Sequence, residues 1–170
     1  MNKVLIVSDS HGLIEELQMI KERHDISHMI HCGDSELSMD EPVMEDFITV
    51  AGNCDYDSRY PNEKMLHIGD ETLFITHGHF YRVKSGLLSL SYRAAEVGAR
   101  IVCFGHSHIA GAEKIDGRIY INPGSIRMPR GRGEKTYALL TWDNDQHIDA
   151  QFYDVQGKVI TELSTTFSLT

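Results

Sequence analysis

The chain of 170 residues is poor in basic residues and has no long apolar run. With 16 Lys and Arg against 25 Asp and Glu, its net charge is −9 at pH 7. Long nucleic acid is therefore not an expected partner, because affinity for it comes mainly from Lys and Arg that neutralise phosphates. No apolar run reaches the length of about 18 residues that a membrane span needs, and the one after Met1-Asn2-Lys3 is too short for a signal peptide. We expect no membrane partner and a cytoplasmic location.

Cysteine is also scarce, and no two of Cys32, Cys54 and Cys103 form a C-x-x-C pair. An odd number of cysteines in a chain without a signal sequence argues against a framework of disulfide bonds. Cys32 and Cys103 lie within apolar, strand-like runs, where a free cysteine usually packs as a small buried side chain. We therefore expect neither of these two residues to carry out chemistry.

The chain does have five short polar islands, each punctuated by glycine. Most of them directly follow an apolar run of β type, as Asp9-Ser10-His11-Gly12 follows Val4-Leu5-Ile6-Val7. Strand ends deliver side chains to one edge of a sheet, so islands that are far apart in the sequence can converge in space. The other four islands are Gly33-Asp34, Gly52-Asn53-Cys54-Asp55, Thr76-His77-Gly78-His79 and Gly105-His106-Ser107-His108.

The side chains in these islands are metal ligands by type. Imidazole, carboxylate and one neutral amide suit Zn, Fe, Ni and Mn. Asp9 and His11 are two residues apart, and residues at that spacing on an extended strand face the same side. Seven ligands exceed the need of one ion and match a pair of ions that share a carboxylate, which promotes in-line displacement at phosphorus. The seven candidates are Asp9, His11, Asp34, Asn53, His77, His106 and His108.

The hydrophobic pattern predicts a single domain over residues 1–170, with an α/β part followed by β-strands. Two amphipathic helices are predicted over 13–23 and 84–97, and one or two helical turns within 36–46. Periodicity alone indicates an α/β fold with an antiparallel second sheet. The predicted strands are 3–8, 27–32, 47–50, 64–68, 72–76, 100–104, 110–115, 118–121, 136–142, 147–154 and 158–163, with turns that include Gly69-Asp70, Asp116-Gly117, Asp143-Asn144-Asp145 and Gly157.

In their order, the islands resemble the calcineurin-like metallophosphoesterase superfamily, whose pattern runs D-x-H, G-D, G-N-H-D, H and G-H-x-H. The small size and Cys54 resemble its short bacterial and archaeal phosphodiesterase branch, the YfcE type, as does Asn122-Pro123-Gly124-Ser125. The resemblance implies a four-layer α/β/β/α sandwich of two mixed sheets flanked by helices, with the metal site at one sheet edge.

The same resemblance implies how the ligands divide between two divalent ions. Asp34 matches the carboxylate that bridges the ions, and Asn53 is a neutral ligand that keeps the site electrophilic toward an anionic ester. Manganese is our first expectation for both ions, with Ni, Zn, Fe or Mg as alternatives. One ion would be held by Asp9, His11, Asp34 and His108, and the other by Asp34, Asn53, His77 and His106.

The general acid is left open, because Cys54 stands where the superfamily has a histidine that can protonate the leaving oxygen. A thiol, with a free pKa of about 8.5, is a poorer donor. His79 is a second candidate, and a structural histidine is the equally weighted alternative. Arg130 could bind a phosphate oxygen through its guanidinium, or lie in a solvated loop tip. The catalytic candidates are thus Asp34, Asn53, Cys54 and His79, and the substrate-binding candidates Arg130 and Asn53.

Together these features predict a metal-dependent phosphodiesterase that hydrolyses small phosphoesters by in-line attack of a metal-bridging hydroxide. The alternative is a protein-interaction scaffold of the retromer-subunit type with a vestigial metal site. The complete set of competent ligands favours the enzyme. The sequence leaves the substrate, the native metal and the oligomeric state open, a homo-oligomer included. We expect the remaining acidic residues near the second island to form a solvated face: Glu36, Asp40, Glu41, Glu45 and Asp46.

Overall fold

The computed structural model describes residues 1–143 and 146–169. Two α-helices and a series of short strands make up the regular structure. The helices are α1 (Glu15–His24) and α2 (Leu88–Val97), and short 3₁₀ turns lie at Pro42–Met44 and His79–Tyr81. The strands are β1 (Asn2–Val7), β2 (Met29–His31), β3 (Phe47–Thr49), β4 (Glu63–Ile68), β5 (Glu71–Thr76), β6 (Ile101–Cys103), β7 (Gly111–Ile115), β8 (Arg118–Asn122), β9 (Thr136–Trp142), β10 (His147–Asp154) and β11 (Thr165–Ser168).

These strands form two mixed sheets. The first sheet has the order β11-β10-β9-β1-β2-β3, in which β1, β2 and β3 run parallel. The second has the order β4-β5-β6-β8-β7, in which β5, β6 and β8 run parallel. The second sheet is therefore mixed, as the family resemblance implied, and the antiparallel sheet suggested by periodicity alone is wrong.

Alternation along β1 separates two apolar layers. Val4 and Ile6 lie in a core between the sheets, together with Leu73 and Ile75 of β5. Leu5, one position on, packs on the opposite face with the buried side chains of α1. Successive strand residues point to opposite faces, so a strand covered on both sides is apolar throughout. This explains why β1 reads as a continuous hydrophobic run.

The second sheet is covered in the same way by α2. Phe74 and Val102 face Leu90 and Ala94 of this helix in a third apolar cluster. The layers therefore run helix, sheet, sheet, helix, and the predicted four-layer α/β/β/α sandwich is confirmed. No helix among the described residues is long and apolar enough to cross a membrane.

The predicted strand at 158–163 is wrong. Val159 forms only an isolated bridge with Tyr153, and the chain then turns. The turn forms because the N–H and hydroxyl groups of Ser164 both donate to the carbonyl of Ile160, whose side chain is buried. The last strand of the meander is instead β11, which pairs antiparallel with β10.

The predicted helix at 84–97 begins four residues late, at Leu88. Gly86 has φ of 136°, which no residue in a right-handed helix adopts. The end is as predicted, because Gly98 has φ of 71° and its N–H caps the carbonyls of the last turn. The turn predicted at Asp143-Asn144-Asp145 lies in part outside the described residues.

Candidate metal centre

Every one of the seven predicted ligands follows the carboxyl end of a strand that has a parallel neighbour. The first sheet contributes the loops after β1, β2 and β3, and the second contributes those after β5 and β6. Because these strands run parallel within each sheet, their carboxyl ends share an edge. In chain order the loops carry Asp9 and His11, Asp34, Asn53, His77, and His106 with His108.

One group of ligand atoms comes from Asp9, His11 and His108, and these atoms lie within 4.8 Å of one another. His108 Nε2 is 3.1 Å from Asp9 Oδ1, and His11 Nε2 is 3.8 Å from the same oxygen. The two imidazole nitrogens are 3.4 Å apart. Three donor atoms of the types that bind divalent metals thus point into one small volume.

A second group comes from Asp34, His77 and His106, again within 4.8 Å. His77 Nε2 is 3.2 Å from Asp34 Oδ2. The same carboxylate oxygen is 4.0 Å from His11 Nε2 of the first group. Asp34 therefore lies between the two groups, where a shared carboxylate would have to be.

Two buried atoms at the centre lack a hydrogen bond. Asp9 Oδ1 and His77 Nε2 are 3.7 Å apart, and neither has a hydrogen-bond partner among the described residues. A buried polar atom left unpaired costs about 1–3 kcal/mol. His108 Nε2 also lies close to Asp9 Oδ1, at 3.1 Å. The donor set fits divalent metal ions.

The carboxylates are ionised at neutral pH. Burial acts to raise the pKa of Asp9, but His108 and His77 outweigh it and lower the pKa overall. Burial also acts to raise the pKa of Asp34, but His77, the N–H of Cys54 and His11 lower it overall. Both carboxylates are therefore charged and available to a cation.

The pKa values of the ligand imidazoles are shifted in different directions. The pKa of His77 is lowered by burial but rises overall, because Asp34 and Asp9 stabilise the proton. The nearby carboxylate of Asp9 raises the pKa of His108. Burial, followed by His77 and Lys84, lowers the pKa of His106 to about 4. His106 is therefore neutral at pH 7, with a free lone pair, whereas a cation at His77 would compete with a proton.

The backbone and neighbouring side chains hold these ligands in place. Asp9 Oδ2 accepts hydrogen bonds from Ser8 Oγ at 2.6 Å and from the N–H of His106 at 3.1 Å. Ser125 Oγ donates to the carbonyl of Asp9 at 2.8 Å, so the Asn122-Pro123-Gly124-Ser125 motif supports the site without contributing a ligand. The sequence showed the motif but not this function, which depends on a contact between distant loops.

Asp55 joins the loops after β2 and β3. Its Oδ2 accepts the N–H groups of Asp34 at 2.8 Å and Gly52 at 2.7 Å, and its Oδ1 accepts the N–H of Glu36 at 2.8 Å. This carboxylate fixes the backbone of Asp34.

Glu36 contacts a candidate ligand in a way that the sequence did not predict. It was expected on a solvated acidic face, but its Oε1 lies 2.6 Å from His11 Nδ1 although 42% of its side chain is exposed. Glu36 is thus exposed, as expected, and it also contacts one of the candidate metal ligands. No pattern in the sequence joins two residues 25 positions apart, so only the folded chain shows the contact.

Asn53 and Cys54 lie at the rim of the centre. The side chain of Asn53 is exposed, and its one described hydrogen bond is to Cys54 Sγ at 3.6 Å. Its amide lies at the exposed edge of the centre, next to Cys54. The N–H of Cys54 donates to Asp34 Oδ1 at 2.8 Å, while burial and the charge of Asp34 raise the pKa of its thiol to about 11. The thiol keeps its proton at neutral pH and is a weak acid.

His79 lies beside the second group of ligands. Its ring centroid is 5.3 Å from that of His77 and 6.1 Å from that of His106, and its Nδ1 is buried without a hydrogen-bond partner among the described residues. Burial and His77 lower its pKa, so the ring is neutral at pH 7. His79 therefore lies beside the centre as a neutral imidazole.

Arg130 is the candidate for contact with substrate. Its N–H donates to the carbonyl of His108 at 2.9 Å, whereas its guanidinium is exposed and makes no hydrogen bond or ion pair within the described part of the chain. The other two arginines of this loop are engaged. Arg127 donates to the carbonyl of His11, and Arg132 pairs with Glu134.

Comparison with known proteins identifies the family. Residues 2–145 match the model of the calcineurin-like phosphoesterase superfamily domain. The chain belongs to this superfamily. It is 49% identical over 168 residues to the probable metallophosphoesterase YsnB of Bacillus subtilis, covering 98% of this chain and 99% of YsnB. The family uses divalent metals, which agrees with the ligand groups found at the sheet edge.

Two further relatives support the resemblance seen in the islands. The crystal structure of a predicted phosphoesterase from Streptococcus pneumoniae superimposes with a TM-score of 0.93 at 32% identity, covering 98% of this chain and 97% of the other. The phosphodiesterase YfcE of Escherichia coli is 29% identical over 127 residues, 64% of each chain. The predicted membership and fold are thereby confirmed.

Gly52 provides a test of how tightly the centre is built. A Cβ atom at this position would overlap Asp34 Oδ1, whereas one at Gly133 would meet nothing within 4 Å. We expect Gly52→Ala to weaken metal binding at least about tenfold, because the methyl group displaces Asp34. Gly133→Ala should bind metal as the wild type does. Metal titration with a competing chelator is the measurement, and equal affinities for both variants would show that the loop adapts.

Proposed function

We propose that this protein is a metal-dependent phosphodiesterase that hydrolyses small phosphoesters. The observation that carries the proposal is the pair of unpartnered buried atoms, Asp9 Oδ1 and His77 Nε2, with Asp34 beside them. Such an arrangement costs stability without a cation and is satisfied by one. The superfamily membership and the phosphodiesterase relative in Escherichia coli support the reaction class.

In this proposal each of the two ligand groups would hold one divalent ion. Two divalent ions would supply an activated water and offset the negative charge of the ester during in-line displacement at phosphorus. Asp34 would be their shared ligand. One set is Asp9, His11 and His108, and the other is His77, His106 and the amide of Asn53.

The chain's own residues bind and orient the ester. The guanidinium of Arg130 has no partner within the described residues and can donate two parallel hydrogen bonds to phosphoryl oxygens. The hydroxyl of Ser8 and the N–H of Cys54 hold the carboxylates of Asp9 and Asp34 in place, so little reorganisation accompanies the reaction. Leaving-group protonation is the weak point, because Cys54 holds its proton tightly and His79 is neutral.

The interaction scaffold is the alternative that the same fold allows. A scaffold needs no buried ligand atoms directed at one another, and their desolvation would only cost stability. Six predicted ligand positions carry carboxylate or imidazole, and all six converge. The enzyme is therefore the function that the geometry supports best. A wild-type protein that binds no divalent metal would favour the scaffold instead.

The first test is metal stoichiometry. We expect two divalent ions per chain, with Mn²⁺ as the first to be tried. Asp34→Asn should weaken both ions, because this carboxylate lies between the two ligand groups, whereas Asp9→Ala and His77→Ala should each empty one site. Elemental analysis after loading and gel filtration measures the ratio. If Asp34→Asn still retained two ions per chain, Asp34 would not be the shared ligand.

The second test concerns the leaving group. Activity should be clear on a diester with a good leaving group, such as bis-p-nitrophenyl phosphate, and poor on alkyl phosphomonoesters. The reason is the weak acid at Cys54. Cys54→His should then raise kcat/KM more for poor leaving groups than for good ones. Rates across a series of leaving groups decide this, and a uniform change would direct attention to His79.

The third test concerns Arg130. We expect Arg130→Gln to lower kcat/KM about tenfold, which corresponds to about 1.4 kcal/mol, by removing a charged hydrogen bond to the ester. The matched control is Arg132→Gln, because that guanidinium already pairs with Glu134 and Glu162. Steady-state kinetics on one diester compare the two variants. An equal fall in kcat/KM for both variants would show that Arg130 acts only through the net charge of the loop.

A further inference from the structure

Three of the ligand histidines have a defined partner for the ring nitrogen that faces away from the centre. His77 Nδ1 lies 2.8 Å from the carbonyl of Cys32, and His108 Nδ1 lies 2.7 Å from the carbonyl of Met128. A carbonyl only accepts a hydrogen bond, so both rings carry the proton on Nδ1 and direct Nε2 inward. For His11 the partner is different in kind, because Glu36 Oε1 is a carboxylate oxygen at 2.6 Å.

The backbone around Glu36 is held in a strained conformation by several hydrogen bonds. Glu36 has φ of 53°, in the left-handed region that a non-glycine residue seldom adopts. Its N–H is held by Asp55 Oδ1 at 2.8 Å. The facing loop is aligned by two backbone hydrogen bonds, from the N–H of His11 to the carbonyl of Asp34 and from Gly12 to Ser35. A disfavoured conformation maintained by several contacts indicates that the position of the side chain matters.

We propose that Glu36 is a positioning residue that holds His11 in the Nδ1–H tautomer and strengthens its Nε2 as a metal ligand. The inference rests on the proposed metal-dependent function. A carboxylate behind a ligand imidazole fixes the ring and raises its basicity, whereas a carbonyl supplies no full charge. In this proposal Glu36 acts through His11 and is not itself a ligand of either ion.

The consequence is a difference between the two metal sites. The set of Asp9, His11 and His108 contains one imidazole supported by a full negative charge. In the other set, His77 is supported only by a carbonyl. Loss of the Glu36 carboxylate should therefore weaken one ion and leave the other, which a general loss of structure would not do.

The first measurement needs no metal. Long-range ¹H–¹⁵N NMR spectra of the metal-free protein at pH 8 report the tautomer of each histidine. We expect His11 in the Nδ1–H form in the wild type, retained in Glu36→Gln, whose amide oxygen still accepts the hydrogen bond, and mixed in Glu36→Ala. The control is Glu45→Gln, which removes one charge from an exposed residue of the same acidic stretch. An Nε2–H form of His11 in the wild type would overturn the proposal.

The second measurement is titration with Mn²⁺ against a competing chelator. We expect Glu36→Ala to weaken one ion about 10–100-fold and to leave the second within about twofold. Glu36→Gln should be intermediate, because it keeps the hydrogen bond and loses the charge, and Glu45→Gln should equal the wild type. Unchanged binding, or equal loss of both ions, overturns the proposal. If the wild type binds no divalent metal, the proposed function fails, and the tautomer spectra still decide on Glu36.

Discussion

The parallel pairing of β1, β2 and β3 in one sheet and of β5 and β6 in the other determines where every candidate ligand lies. Parallel strands have their carboxyl ends at one edge, and the two sheets pack face to face with these edges together. Loops that are up to 97 residues apart in the sequence therefore meet, as His11 and His108 do. The apolar core between the sheets, which contains Val4 and Ile6, therefore also keeps the loops of the metal centre next to one another.

The loops at this edge are strained. Five of the predicted ligands have positive φ although none is glycine, and each such residue costs about 1–2 kcal/mol relative to an ordinary conformation. The hydrogen bonds that Ser8 and Ser125 donate, and those that the carboxylate of Asp55 accepts, offset part of this cost. Strain of this kind is common at functional sites, where the geometry of a side chain matters more than local stability. The five residues are Asp9, His11, Asp34, His106 and His108.

Much of the fold could be predicted because the responsible interactions are local. Continuous apolar runs identified the buried strands, and glycine beside a polar ligand identified the loops. Gly52 shows why the glycine was informative, since any side chain there would overlap Asp34. The strand β11 could not be predicted in the same way. The apolar residues at 158–163 suit a strand, and only the hydrogen bonds of Ser164 to Ile160 turn the chain away.

Within the site, the ligand types were predictable and their partners were not. Glu36 lies in an acidic stretch that has the composition of a solvated surface, and its charge is nevertheless directed at His11. Asn53 was expected to bind one of the ions, and in the folded chain its side chain is exposed and donates a hydrogen bond to Cys54 Sγ. Family resemblance names a ligand, whereas tertiary contacts decide which atom of that ligand is available.

The charges at the centre connect these contacts with the proposed reaction. Asp9 and Asp34 carry two negative charges, so two divalent ions beside them would leave an excess of positive charge that attracts an anionic ester. The neutral His106 and the amide of Asn53 preserve that excess. Glu36 reduces it only behind His11, at the rim, while Arg130 adds to it beside His108. Arg130 is therefore placed to attract an anionic ester toward the side of the centre that carries His108.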